Sequence, residues 1–326
     1  MKEKENTQLS IVIPTYNRAD FLDLSLEMHI PLVRQFNIAI YIVDDASTDN
    51  TSKIVSEWMN EYEYLFYSRN KKNLGVDLNV EAALKMPETD YVWLLGDTSK
   101  IKKSVFERVV QLCLGDYDLI LLNSTQRVCD VRSQLIQDKK TLLSSLGWQM
   151  THLSVLIYNR KVIKHANFLR FSNTFFLQTG IIFESFAYRD DVRVSWNQDL
   201  SIETMRKGGL KTVSSWQKNT FEIWIKKWAN LVLSLPPVYS LECKLKAIQD
   251  HSKKSQIFSF KSLLSLRAKG FYSMNHYFLY RKYFGIALGR DPVFKFLSVA
   301  VLPKIFVRFL IRIFKMKFFS LGNKST

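Results

Sequence analysis

The sequence has only three cysteines, Cys113, Cys129 and Cys243, and no C-x-x-C pair. That argues against a disulfide framework or a zinc site and fits a reducing compartment. Long apolar runs are missing. No stretch of about 18 uninterrupted apolar residues occurs, so no transmembrane helix is expected. The opening MKEKENTQL is polar and charged, without the apolar segment of a secretion signal. Internal repeats and low-complexity linkers are absent as well. Acids are scarce at one end only. From His251 to Thr326 there are 15 Lys+Arg against a single acid, Asp291, whereas residues 1–250 hold 31 basic and 29 acidic side chains. This imbalance points to an anionic partner of the C-terminal region and says little about the fold of the rest.

What is present suffices for a sizeable core. The chain has 326 residues, 47% hydrophobic and 13% aromatic, which predicts one large folded domain or two modest ones. Pro236-Pro237 marks a break, and we place a boundary there, between residues 1–235 and 236–326.

The N-terminal part alternates strands and helices. Leu9–Ile13, closed by Pro14, reads as a strand and Ala19–Val33 as a helix. Ile38–Val43 is a second strand. Ser47-Thr48-Asp49-Asn50 supplies helix-start residues before a helix over Thr51–Tyr62. Strands follow at Tyr64–Ser68, Tyr91–Leu95 and Asp118–Asn123, with helices at Val76–Leu84 and Ser104–Leu114. Residues 140–216 are mixed, with a strand at Val155–Tyr158 and a short helix at Gly180–Ala187. Beyond Trp216 the pattern is helical and aromatic. Such alternation predicts a mostly parallel sheet with helices on both faces. Ligands of such sheets sit at the carboxyl ends of strands. Three predicted strand ends are unusually polar: Pro14-Thr15-Tyr16-Asn17-Arg18, Asp44-Asp45-Ala46-Ser47 and Gly96-Asp97-Thr98-Ser99. If their strands are neighbours, the three loops line one crevice. Asp45 can then accept from the imide N–H of a uracil or thymine, and Tyr16 can stack on the base. Two structural roles stand beside these. Asp44 and Asp45 can begin an Asx-turn and cap the Thr51 helix, and Asn17 can be an N-cap.

The segments SIVIPTYNRADFL, YIVDDASTDNT, NLGVDLN and DYVWLLGD, in this order and spacing, resemble glycosyltransferase family 2 on the GT-A nucleotide-sugar fold. The likeness is good over residues 8–125 and looser to about residue 235, and it is nearest to an abequosyltransferase-like branch acting on bacterial surface polysaccharides. It implies a nucleotide-binding half over 8–125 and an acceptor half over 126–235. Asp45 matches the family's base-contacting acid, with Asp44 beside it. Asn73-Leu74-Gly75 matches a turn under the nucleotide, in which Gly75 supplies a positive φ or a close backbone approach. Asn79 reads as a packing or capping residue.

The resemblance also implies a divalent metal, Mn or Mg, at Asp97, to neutralise the diphosphate leaving group. Related sequences read G-D-D-D there, and this chain reads Gly96-Asp97-Thr98-Ser99, with Ser99 at the metal-binding Asp. Thr98 and Ser99 weaken such a site. Asp97 can instead bind the ribose or cap the next helix. The family's base pair falls on Gln178-Thr179, neither a base. Glu184 and His152 are the remaining catalytic candidates, and Asp190-Asp191 reads as a solvated turn.

The segment VLPKIFVRFLIRIFKMKFF predicts a helix over Pro303–Phe319. Lys304, Arg308, Arg312 and Lys315 form one stripe, and Ile305, Phe306, Phe309, Leu310, Ile313 and Phe314 fill the other arc. Such a helix suits an anionic membrane surface. A core-facing helix with a solvated basic side is the alternative. Nucleic acid is disfavoured, since the cations interleave with aliphatic side chains. The expected protein takes a sugar from a nucleotide-diphosphate donor to a lipid-linked glycan acceptor. It is cytoplasmic and peripheral on the inner face of the plasma membrane. A degenerate, non-catalytic glycan- or partner-binding relative is the alternative.

Overall fold

The computed structural model describes residues 8–205, 215–289 and 293–322. Two compact units emerge. The first is Met1–Leu210 with Ser234–Lys244, the second Lys211–Leu233 with Leu245–Thr326. Pro236-Pro237 thus falls inside a segment of the first unit. Tyr239 anchors that segment, its hydroxyl donating to the Phe183 carbonyl at 2.7 Å.

The first unit is built on strands β1 (Leu9–Thr15), β2 (Ile40–Asp44), β3 (Leu65–Arg69), β4 (Tyr91–Leu94), β5 (Ser99–Lys100), β6 (Leu119–Ser124), β7 (Gln134–Ile136), β8 (Leu156–Asn159) and β9 (Val194–Thr204). Their order is β3-β2-β1-β4-β8-β6-β9-β5, with β7 also on β9. Strands β1 to β4 are mutually parallel. Their crossovers are helices α1 (Ala19–Val33), α2 (Thr51–Glu61) and α3 (Val76–Lys85). Strands such as LSIVIPT and YVWL are apolar on both faces and almost wholly buried, as strands covered on both sides are. α1 buries Phe21, Leu22, Ser25, Leu26, His29, Ile30 and Val33, the i, i+3, i+4 spacing of one helix face.

The fifth predicted strand is present as β6 but does not lie beside β4. β8 is inserted between them, antiparallel to both. The mostly parallel sheet therefore gains an antiparallel strand in its second half. β9 is unforeseen, because Asn197, Gln198 and Asp199 break its apolar pattern, and so are β5 and β7. β9 pairs parallel with β6 and antiparallel with β5 and β7. Helices α4 (Lys103–Leu112), α5 (Lys139–Leu146), α6 (Arg160–Lys164), α7 (Phe168–Phe171) and α8 (Leu177–Ala187) complete this unit's own elements. α8 rests on α7 at Gly180, where a Cβ would lie 2.4 Å from the Phe171 ring.

The second unit holds a π-helical turn over Glu222–Lys227 and helices α9 (Trp228–Ser234), α10 (Leu241–Lys254), α11 (Phe260–Lys269), α12 (Met274–Leu288), α13 (Val293–Val301) and α14 (Lys304–Gly322), the first two reaching past its bounds. Its core centres on Phe221, stacked on Tyr272 at 4.5 Å and touching Phe258, Tyr280 and Phe296. The predicted tail helix is α14, but its basic stripe is not wholly free. Arg308 Nε donates to the Ala268 carbonyl at 3.0 Å, and Lys304 Nζ lies against Gly270, both at the C-terminal end of α11. Cations belong there, because the last carbonyls of a helix carry partial negative charge. Val307 is buried, while Ile305, Phe306, Phe309 and Ile313 are exposed beside Arg312. The side chains of Phe314 and Lys315 lie outside the described residues. No helix among the described residues is long and apolar enough to cross a membrane.

Candidate active site

The order β2-β1-β4 places the three polar strand ends side by side on one edge of the sheet. Three interactions join them. The Thr15 hydroxyl donates to Asp97 Oδ2 at 3.1 Å. The Asn17 N–H donates to the Ser47 hydroxyl at 2.8 Å, and the Thr48 N–H donates to Asn17 Oδ1 at 2.7 Å. Asn17 adopts a left-handed backbone, φ 51°, which turns the chain abruptly out of β1 after Pro14, Thr15 and Tyr16. Asn17 is therefore a staple between two loops and not the N-cap of α1. That cap position is Arg18, and the open Ala19 N–H is taken by Asp49 of the neighbouring loop at 3.0 Å. Asp49 also caps α2 through the Thr51 N–H, at 3.1 Å. Asp49 thus does the helix-capping work that the Asx-turn reading assigned to Asp44 and Asp45.

Those two acids divide their work. Asp44 is fully buried and accepts from the Ser47 N–H at 2.8 Å and the Tyr67 hydroxyl at 2.7 Å, with Arg69 Nε at 3.7 Å. It shapes the loop from beneath. Asp45 faces the Asn73-Leu74-Gly75 turn, accepting from the N–H groups of Leu74 and Gly75 at 2.8 and 2.9 Å and from the Asn70 amide at 2.9 Å. Three of its roughly four acceptor positions are used, which leaves one for a ligand. Gly75 has φ 86°, and a Cβ there would meet nothing within 4 Å. The glycine answers a conformational need and not a spatial one. Asn79 packs as expected, donating to the Val43 carbonyl at 3.0 Å. Tyr16 is 44% exposed at this rim.

Asp97 does not cap a helix, since β5 intervenes before α4. Burial pushes its carboxyl upward, while the nearby Arg18 guanidinium and the Thr15 bond draw it back. The Thr98 carbonyl accepts from the Met205 N–H at 2.8 Å. The Ser99 hydroxyl is buried and lies 2.6 Å from the Ser154 hydroxyl, which also accepts from the Gly96 N–H at 2.9 Å. Ser154 carried no signal in the sequence, since its role depends on β8 lying beside β4.

Gln178 and Thr179, where the resemblance places the catalytic pair, are engaged within the protein. The Gln178 amide donates to the Thr151 carbonyl at 3.2 Å and the Thr179 hydroxyl to the Met150 carbonyl at 2.9 Å. They clamp the turn that carries His152. Asp77, at the start of α3, accepts from the Phe175 N–H at 2.8 Å and so ties α3 to the start of α8. His152 Nδ1 is buried with no hydrogen-bond partner among the described residues. Burial lowers its pKa to about 4, with Arg127 acting in the same direction. Arg127 was not foreseen; it follows Thr125 and Gln126, two left-handed residues at the end of β6. Glu184 is apart from this group. It is ion-paired with Arg170, which also donates to the Ser234 carbonyl at 2.6 Å. Six residues along α8 separate it from Gln178, about 9 Å of rise. The side chains of Asp190 and Asp191 are exposed, as a solvated turn requires.

The family model described as glycosyl transferase family 2 matches residues 10–189. Abequosyltransferase RfbV of Salmonella typhimurium is 33% identical over 126 residues, 38% of this chain and 38% of that protein. The matched chain therefore spans less than half the length of that relative. Among solved structures, S. aureus TarS residues 1–349 in complex with UDP-GlcNAc gives a TM-score of 0.56 at 19% identity, over 79% of this chain and 75% of that one. Mannosyltransferase PcManGT from Pyrobaculum calidifontis, in complex with GDP-Man and Mn2+, gives 0.55 at 14% identity, over 93% and 86%. These likenesses concern the fold.

Proposed function

The chain belongs to glycosyl transferase family 2, with its GT-A fold, and we propose that it moves a sugar from a nucleotide-diphosphate donor to a lipid-linked oligosaccharide or polysaccharide precursor in bacterial surface glycan synthesis. The observation that carries this is the meeting of the polar ends of β1, β2 and β4 on one sheet edge, stapled by Asn17 and Thr15. The base sits at Asp45 and Tyr16, over the turn of Asn73 and Gly75. Pro14, Thr15, Asn17 and Arg18 line the way to the diphosphate, and Asp44 braces the loop. Asp97 receives the ribose or the diphosphate end. A divalent cation, Mn or Mg, fits Asp97 poorly, because the neighbouring donors are the hydroxyls of Thr98 and Ser99 and not carboxylates.

In a direct displacement, the acceptor oxygen bonds to the anomeric carbon as that carbon's bond to the β-phosphate oxygen breaks. The acceptor's proton needs a base, and the nucleoside diphosphate departs with the electron pair. His152 is the group we assign to that proton, since it is neutral at neutral pH and its buried Nδ1 has no hydrogen-bond partner among the described residues. Glu184, held by Arg170, is the weaker candidate. Release of nucleoside diphosphate from UDP-, GDP- and dTDP-sugars, with and without a lipid-linked glycan extract, tests this reading.

One observation favours a second reading, a non-catalytic glycan- or partner-binding module. Ser99, Gln178 and Thr179 stand at the altered positions and are committed to hydrogen bonds within the protein. Nucleotide binding without any sugar turnover would select it. In either case we propose that α14 holds the chain on the inner, anionic face of the plasma membrane. Its exposed Ile305, Phe306 and Phe309 support that placement.

A further inference from the structure

We infer that the Arg18 guanidinium, and not a divalent cation, is the positive charge that faces the donor's diphosphate. This rests on the nucleotide-sugar reading above. The order β2-β1-β4 supplies the first reason. A nucleotide held at the end of β2 by Asp45, with its sugar reaching His152, four residues before β8, lays its diphosphate across the ends of β1 and β4. Strands lie about 4.8 Å apart, so this span covers the Tyr16–Arg18 turn.

The donor set supplies the second reason. Ser99 occupies the position expected of a metal-binding acid, yet its hydroxyl is only 2.6 Å from that of Ser154. A Cβ placed on Gly96 would lie 3.3 Å from Ser154 Oγ and 3.5 Å from Ser99 Oγ, so these atoms are packed against one another. Asp97 alone remains, with one oxygen already bonded to Thr15. Mg, at about 2.0–2.1 Å from its oxygens, is usually held by one or two carboxylates together with substrate phosphates and waters, and here only the partly used Asp97 carboxylate is at hand. Among the described residues no group of three or more His, Cys, Asp or Glu can hold a metal ion.

Arg18 itself supplies the third. The left-handed Asn17 and its bonds to Ser47 and Thr48 fix the backbone that presents it. Its guanidinium carbon lies 5.7 Å from the Phe21 ring. It forms no hydrogen bond or ion pair with a carboxylate among the described residues, although its charge is felt at Asp97. A guanidinium is always charged and its planar fork matches two phosphate oxygens. The N-terminus of α1 does not supply the charge, because Asp49 already occupies it.

The test is calorimetry with UDP, GDP, CDP and dTDP and with their monophosphates, in EDTA and in manganese. The diphosphate that binds should do so with about the same affinity, within roughly threefold, in both conditions. Arg18→Gln should weaken it about 10- to 100-fold, the loss of charged hydrogen bonds, with a much smaller effect on the monophosphate. Arg18→Lys should recover part of the loss. Melting curves of both variants establish that they fold, and the EDTA arm on the parent chain needs no variant. Binding that EDTA abolishes and manganese restores would overturn the assignment while leaving the nucleotide reading intact. So would an Arg18→Gln chain that loses diphosphate and monophosphate equally. If no diphosphate binds in either condition, the nucleotide-sugar reading itself is wrong, and this assignment goes with it.

Discussion

Gly75 donates its backbone N–H to Asp45 Oδ2 at 2.9 Å, across 30 residues of sequence. The contact makes one unit of the acid we assign to the base and the turn we propose to lie beneath the nucleotide. Replacing Asp45 by Ala leaves the Leu74 and Gly75 N–H groups and the Asn70 amide without their acceptor. We expect a loss of about 2–3 kcal/mol in stability together with loss of nucleotide binding. Gly75→Ala should cost about 1–2 kcal/mol through its positive φ alone, since a Cβ there has open space. Thermal melts read the first quantity and calorimetry the second. An Asp45→Ala chain that binds nucleotide as the parent does would remove Asp45 from the pocket.

The catalytic candidates separate cleanly. His152→Ala should lower turnover by about 100- to 10,000-fold, the usual range for a general base, with little change in melting. Glu184→Gln should do the reverse. It weakens the pair with Arg170, costing about 1 kcal/mol of stability, and leaves turnover near the parent's. Steady-state kinetics with any competent donor decides between them. A large turnover defect in Glu184→Gln, at unchanged stability, would reverse the assignment.

Acid should loosen the sheet edge through His29. Its Nε2 accepts from the Ile101 N–H at 3.1 Å, and burial lowers its pKa from 6.5 to about 4. Between those values the unfolded chain holds more protons than the folded one. Stability from this residue is therefore full above pH 6.5 and declines as pH falls toward 4, by on the order of 3 kcal/mol. His152 acts in the same direction. Urea midpoints from pH 7.5 to pH 4.5 should decline less steeply for His29→Leu than for the parent. Parallel slopes would show that His29 takes no part.

Membrane association should depend on the outer apolar face of α14. Ile305 and Phe309 are 80% and 59% exposed, so replacing both by Ser removes apolar area without cutting the core. Sedimentation with anionic vesicles should drop about tenfold or more for the double variant, given roughly 1.5–3 kcal/mol for burying each such side chain. Arg312→Glu should reduce binding to anionic vesicles and spare neutral ones, by about 1 kcal/mol per charge lost near the surface. Unchanged sedimentation of the double variant would take α14 out of the anchor.

The sequence alone determined the elements whose cause is local. Residues three and four apart meet on a helix and alternate residues share a strand face, so α1 was legible to the residue and β1 to β4 nearly so. The polar strand ends were legible too, because a buried strand that turns abruptly polar must be leaving the core. Tertiary structure decided the rest. Whether Asn17 caps a helix or staples two loops depends on Thr48, 31 residues away. Ser99 meets Ser154 across 55 residues, only because β8 enters antiparallel beside β4. On α14, the sequence distinguished cations from apolar side chains, but packing on α11 decided that Lys304 and Arg308 turn inward and Ile305 and Phe309 outward. Periodicity describes a face; only the neighbours that a fold brings together determine what that face meets.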